Sequence, residues 1–140
     1  MKKFLIIIIL FVIFISSGHV KNNFTLLDYF SGEYLSYTDA PVDDESVNLG
    51  FCYMQNNYNK KYKLVGESLK IKNFEPGQAI EVLKAEVIKT EYLENGTVVI
   101  YAYSRYIDKI VTVDNKNVNL QIAHNDEYSI IGWPLILGSF

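Results

Sequence analysis

Cysteine occurs once in this chain, at Cys52, so no disulfide closes within one copy. Small exported animal domains usually carry several bridges; a chain without them depends on its hydrophobic core, and an exporting bacterium is the expected source. Cys52 stands in Gly50-Phe51-Cys52-Tyr53-Met54, among large apolar neighbours, and reads as a small buried hydrophobe rather than a thiolate nucleophile. Arginine also occurs once, at Arg105, and the formal net charge is −3. Nucleic-acid affinity rests on clustered Lys and Arg that neutralise phosphates, so a polyanion partner is excluded. The densest basic patch, Lys60-Lys61-Tyr62-Lys63, lies in a polar stretch and reads as a solvated loop.

Histidine is nearly as scarce, with His19 and His124 alone. A hydrolytic triad needs a base held against a nucleophile, and His124 falls in a polar turn with Asp126 and Glu127, with no Gly-x-Ser-x-Gly elbow in the chain. No spaced set of three or four Cys, His or carboxylate ligands suits zinc. The acidic stretch Asp39 to Glu45 lacks the central glycine of an EF-hand loop and reads as a charged surface turn. No glycine-rich phosphate loop is present. These absences leave no catalytic residue, no metal site and no cofactor to assign.

What the chain does have begins at its first residue. Met1-Lys2-Lys3 precedes an apolar run from Phe4 to Ile15 that ends in Ser16-Ser17-Gly18, the layout of a secretory signal peptide over residues 1–18. A run this short falls below the roughly 20 residues of a membrane-spanning helix, so membrane contact is expected only through an uncleaved signal segment. Cleavage after Gly18 makes His19 the N-terminus and removes Lys2 and Lys3, which leaves a more acidic chain. The expected location is extracytoplasmic: secreted, or anchored at the outer face of the cytoplasmic membrane. Residues 19–46 read as an N-terminal extension with an acidic loop, and residues 47–140 as a single domain.

Within that frame, Asn23 to Phe30 is a short helix candidate stopped by Gly32. Val47 to Met54 and Leu64 to Ile71 read as a strand pair, with Gly66 marking a bulge. Pro76 opens a helix carrying Ile80, Leu83 and Val87 at spacings of three and four, expected to run to about Ala85. Glu86 to Leu93 and Thr97 to Tyr103 flank Glu94-Asn95-Gly96, a strong hairpin signal. Ile110 to Val113 and Asn117 to Ala123 flank a second turn, and Ser129 to Leu137 is the last strand. In the Asn117 to Ala123 strand, Val118, Leu120 and Ile122 form a buried face, and Asn117, Asn119 and Gln121 a wet one. The fold class is α+β: an antiparallel sheet with one main helix packed on one face.

The C-terminal half resembles the YwmB-type family, exported proteins of spore-forming Gram-positive bacteria described as TATA-box-binding-like by fold. Tyr101-Ala102-Tyr103-Ser104, Lys116-Asn117-Val118-Asn119-Leu120-Gln121-Ile122-Ala123 and Gly132-Trp133-Pro134-Leu135-Ile136 carry the likeness, over roughly residues 85–140. The resemblance implies a curved antiparallel sheet backed by helix, in a protein of unknown function, with sporulation as the setting. It supplies no catalytic residues.

Eleven tyrosines and Trp133 make aromatic contact the remaining chemistry. Tyr101, Tyr103 and Trp133, bordered by Asn119 and Gln121, are the candidate binding surface if they share a face; cross-strand packing within the sheet is the plainer alternative. The function this favours is a non-catalytic binding module whose partner is an envelope protein or a wall polymer. The alternative is a protein that binds wall glycan, or cleaves it through carboxylates such as Asp108 and Glu91.

Overall fold

The computed structural model describes residues 24–59 and 61–137. The signal-peptide reading of residues 1–18, and His19, lie outside them. Among the described residues, no helix is long and apolar enough to cross a membrane.

The chain builds an α+β domain. Among the described residues, ten strands run in chain order: β1 (Glu33–Thr38), β2 (Val47–Asn48), β3 (Tyr53–Gln55), β4 (Leu64–Lys72), β5 (Glu86–Tyr92), β6 (Val98–Tyr103), β7 (Val111–Val113), β8 (Lys116–Val118), β9 (Leu120–His124) and β10 (Tyr128–Trp133). The helix α1 (Pro76–Val82) lies between β4 and β5. Eight strands form one antiparallel sheet in the order β2-β3-β1-β4-β10-β9-β6-β5, and β7 pairs with β8 separately.

Turn chemistry accounts for the two hairpins read from sequence. Gly96 takes φ +85° between β5 and β6, and Asp114 and Asn115 take φ 49° and 63° between β7 and β8. Two consecutive positive φ values match the right-handed strand twist, and Asn and Asp tolerate them best after glycine. The bulge also falls where Gly66 marks it: Tyr37 pairs with Gly66 but Thr38 with Leu64, so Val65 is the extra residue.

Helix α1 starts at Pro76, with the Gln78 side chain accepting the Glu75 backbone N–H at 3.2 Å. It stops at Val82, short of Ala85, because Lys84 adopts φ 48°. Ala85 N–H then bonds to Ile80 C=O at 2.9 Å and Lys84 N–H to Glu81 C=O at 3.2 Å, which closes the helix in a Schellman motif with lysine where glycine is usual.

One expectation fails in the N-terminal half, and another is met in shorter form. The strands around Cys52 and Gly66 do not pair, because β1 inserts between β3 and β4. A strand from the segment read as an extension therefore lies within the sheet. The short helix is a 3-10 turn, Leu26–Asp28, capped by the Thr25 side chain at Leu27 N.

Strand register assigns side chains to faces. Tyr34, Leu69, Ile131, Ile122 and Ile100 lie opposite one another across β1, β4, β10, β9 and β6. Leu69, Ile122 and Ile131 form the main core with Leu26, Ala79, Leu83, Ala102 and Leu120, so the 3-10 turn and α1 cover this face. Each fully buried Leu or Ile contributes about 1.5–3 kcal/mol relative to exposure. On the opposite face, the chain after β10 folds back over Gly132, where an added Cβ would stand 2.8 Å from Ile136.

Candidate functional site

The five residues of the expected binding surface are divided by the sheet. Gly132 pairs with Gln121, and Gln121 with Tyr101, so these three share a face. Trp133 is the next residue and points to the other side, where it is buried in the core and meets Phe24 edge-on at 6.0 Å. One residue of strand advance turns a side chain over, so Trp133 shares no platform with Tyr101 and Tyr103.

Asn119 and Gln121 are not solvated either. Asn119 is fully buried: its Oδ1 accepts from Ser104 N at 2.7 Å, and its Nδ2 donates to Ser104 O and Ile107 O, each at 2.7 Å. Gln121 Oε1 accepts Ile136 N at 2.7 Å. The wet face read for β8 and β9 thus reduces to Asn117. Amides at these positions serve irregular backbone, Asn119 the loop after β6 and Gln121 the segment after β10.

Tyr101 and Tyr103 remain half-exposed. The Tyr101 hydroxyl donates to Glu91 Oε2 at 3.5 Å, and its phenol is pushed up first by burial and then by the Glu91 charge. Lys89 joins this group, 2.7 Å from Glu91 Oε1 and 2.5 Å from Asp114 Oδ2. Those contacts, Asp114 first, hold the Lys89 ammonium above its ordinary range, and Lys89 in turn holds the Asp114 carboxyl below its own. The cluster ties the β7–β8 turn to β5. Glu91 is thereby engaged by a cation and a phenol, an arrangement unlike a carboxyl pair open to a glycosidic bond.

Two further constellations escaped the sequence reading. The first surrounds Glu67, which is fully buried at the middle of β4. Its Oε1 accepts Leu26 N at 3.0 Å and Trp133 Nε1 at 2.7 Å; its Oε2 accepts Thr25 Oγ1 at 2.5 Å and the Tyr34 hydroxyl. Four neutral donors replace the water this carboxylate loses, and they fasten the N-terminal segment to the sheet. Burial first, then the hydrogen bond to Glu67, pushes the Tyr34 phenol well above its ordinary value.

The second joins Glu75, His124 and Ser129. His124 Nδ1 lies 2.8 Å from Ser129 Oγ, and His124 Nε2 lies 3.9 Å from Glu75 Oε2. The residue types are those of a hydrolytic triad, but the proton directions are not. Ser129 Oγ donates its one proton to Phe74 O at 2.6 Å, so His124 Nδ1 must be the donor toward Ser129. Ser129 is moreover fully buried. A nucleophilic serine needs its proton directed at a base, and here the base directs one at the serine. Among the described residues, no group of three or more His, Cys, Asp or Glu stands ready to hold a metal ion.

Exposed apolar side chains lie elsewhere, with Phe51 at 70% between β2 and β3 and a group of three at the far edge of the sheet. Strand β5 ends the large sheet, and its outer edge has no neighbouring strand among the described residues. Val87 pairs with Ala102 and Tyr92 with Val98, so both lie on the helix side, and they are 47% and 80% exposed. Leu93 follows, 38% exposed. The other edge strand, β2, has only 2 residues. Strand propensity explains why Val-Ile-Lys-Thr-Glu-Tyr is extended, but no packing explains why Tyr92 is a tyrosine.

The chain matches no protein-family profile, no curated protein and no solved structure.

Proposed function

We propose that this chain is an exported, extracytoplasmic domain that binds another envelope protein and carries out no chemistry of its own. The supporting observation is the contrast between its polar and apolar groups. Glu67, Asn119, Ser129 and Lys89, the side chains best suited to chemistry, have their hydrogen-bonding capacity committed to structure. Val87, Tyr92 and Leu93 are instead exposed along a sheet edge that no strand covers among the described residues. An aromatic side chain left in water at an open edge is the kind of residue that carries binding energy at interfaces.

Export rests on the start of the sequence, and the absence of a nucleic-acid partner on its acidity. The finer fold, a shortened TATA-box-binding-like member of the YwmB-type family with a sporulation setting, belongs to the same proposal. It is supported by the residue blocks that suggested it.

Photo-crosslinking in intact cells tests the reading. A photoreactive residue at Tyr92 should yield one discrete protein adduct, and the same residue at exposed Glu45 should yield none. Identical patterns at the two positions, or an adduct to wall polymer at Tyr92, would reject an envelope-protein partner.

A further inference from the structure

The edge of β5 has properties that select its occupant. A strand edge presents a row of backbone N–H and C=O groups, and natural proteins usually blunt it with a bulge, a central lysine or a short length. Edge β2 is blunted by length. Edge β5 carries a register shift between Val87 and Lys89, which leaves the stretch from Lys89 to Tyr92 regular. Its lysine does not guard that stretch. Lys89 shares a face with Tyr101, and Asp114 and Glu91 hold its ammonium there, 2.5 and 2.7 Å away.

Charge narrows the choice. From Glu81 to Glu94 the chain carries Glu81, Glu86, Glu91 and Glu94 against Lys84 and Lys89. Among the described residues, Glu81, Glu86 and Glu94 make no ion pair. A second copy of this chain added antiparallel at β5 about Thr90 would set Glu86 against Glu94 at both ends of the pairing, which is destabilising across strands.

We infer that β5 accepts an extended basic segment of a partner protein as an added strand. This deepens the interaction reading and rests on it. The segment's backbone bonds to the open edge; apolar residues at alternate positions cover Tyr92 on the helix side, and Lys or Arg at its two ends meet the flanking Glu86 and Glu94, Glu91 being held by Lys89.

Labelled peptides and the full-length chain provide the test, read by fluorescence anisotropy. The hexapeptide Lys-Val-Lys-Val-Lys-Val should bind at least about tenfold more tightly than Glu-Val-Glu-Val-Glu-Val, a difference of about 1.4 kcal/mol. It should also exceed Lys-Lys-Lys-Val-Val-Val, which has the same charge without the alternation. Glu86→Lys with Glu94→Lys should weaken binding about tenfold, and Tyr92→Ser should weaken it with the melting temperature unchanged. Equal binding of the acidic or the block peptide overturns strand addition, and so does concentration-dependent dimerisation through β5 without peptide. If those results come with a discrete protein adduct at Tyr92 in cells, the interaction reading stands and only the mode of binding falls.

Discussion

The centre of β4 and the edge of β5 use similar residues to opposite ends. At Glu67 a carboxylate, an indole and a hydroxyl are buried together beside a half-buried phenol, each with a partner. Along β5, Glu86 and Tyr92 face water, and the one lysine is tied to Glu91 and Asp114 on the face opposite Tyr92. Burial decides the meaning of such groups: an unpaired polar atom costs about 1–3 kcal/mol in the interior and almost nothing at the surface. Substitution at the centre should therefore be read in folding, and substitution at the edge in binding.

The sharpest test of that contrast is Glu67→Ala. It leaves Leu26 N, Trp133 Nε1, Thr25 Oγ1 and the Tyr34 hydroxyl without their acceptor, and a loss of about 3–5 kcal/mol by denaturant unfolding is expected. Glu67→Gln should cost less, since it keeps one acceptor oxygen. Asn119→Ala comes next, at about 2–4 kcal/mol, because one backbone N–H and two carbonyls lose buried partners.

High pH probes the same interior through its phenols. Burial raises Tyr34 and Tyr37, so both stay protonated in the folded chain while unfolded tyrosine ionises near about 10. Their contribution is complete below that value and is lost as pH rises beyond it, so stability should fall in alkali. A Tyr34→Phe variant that loses stability just as steeply would assign the effect elsewhere.

At the periphery the effects shrink. Lys84→Gly relieves a left-handed lysine at the end of α1 and should raise stability by about 0.5–1 kcal/mol. Lys89→Ala should leave the melting temperature nearly unchanged, since the ion pairs it breaks are exposed. Its readout is Asp114 by NMR: the carboxyl, held low by Lys89, should titrate back in the ordinary carboxylate range. An Asp114 unchanged by that substitution would mean that Lys89 does not hold the β7–β8 turn, and that it is free to guard the edge.

Local signals in the sequence located what local chemistry controls. Asn95-Gly96 and Asp114-Asn115 gave their hairpins, Pro76 the start of α1, and Gly66 the bulge. The insertion of β1 between β3 and β4 was not legible, because non-local pairing leaves no mark on either strand alone. The candidate surface failed for a related reason. Alternation correctly separates neighbouring side chains, but it does not say which face of β10 matches which face of β6; register does, and it sends Trp133 inward. Asn119 and Gln121 looked solvated because their partners are backbone groups of loops distant in sequence. Glu67 carried no signal, since an acid between Gly66 and Ser68 declares neither its burial nor its donors.

Amide hydrogen exchange, compared between the purified full-length chain and the chain recovered with its envelope fraction, puts the contrast between centre and edge to the most direct trial. Amides of Glu86–Tyr92 should slow in the envelope fraction, while those of Leu64–Lys72 are slow in both. Unchanged exchange along β5, with protection appearing instead at Tyr103 and the neighbouring face, would contradict the assignment of the edge as the binding site.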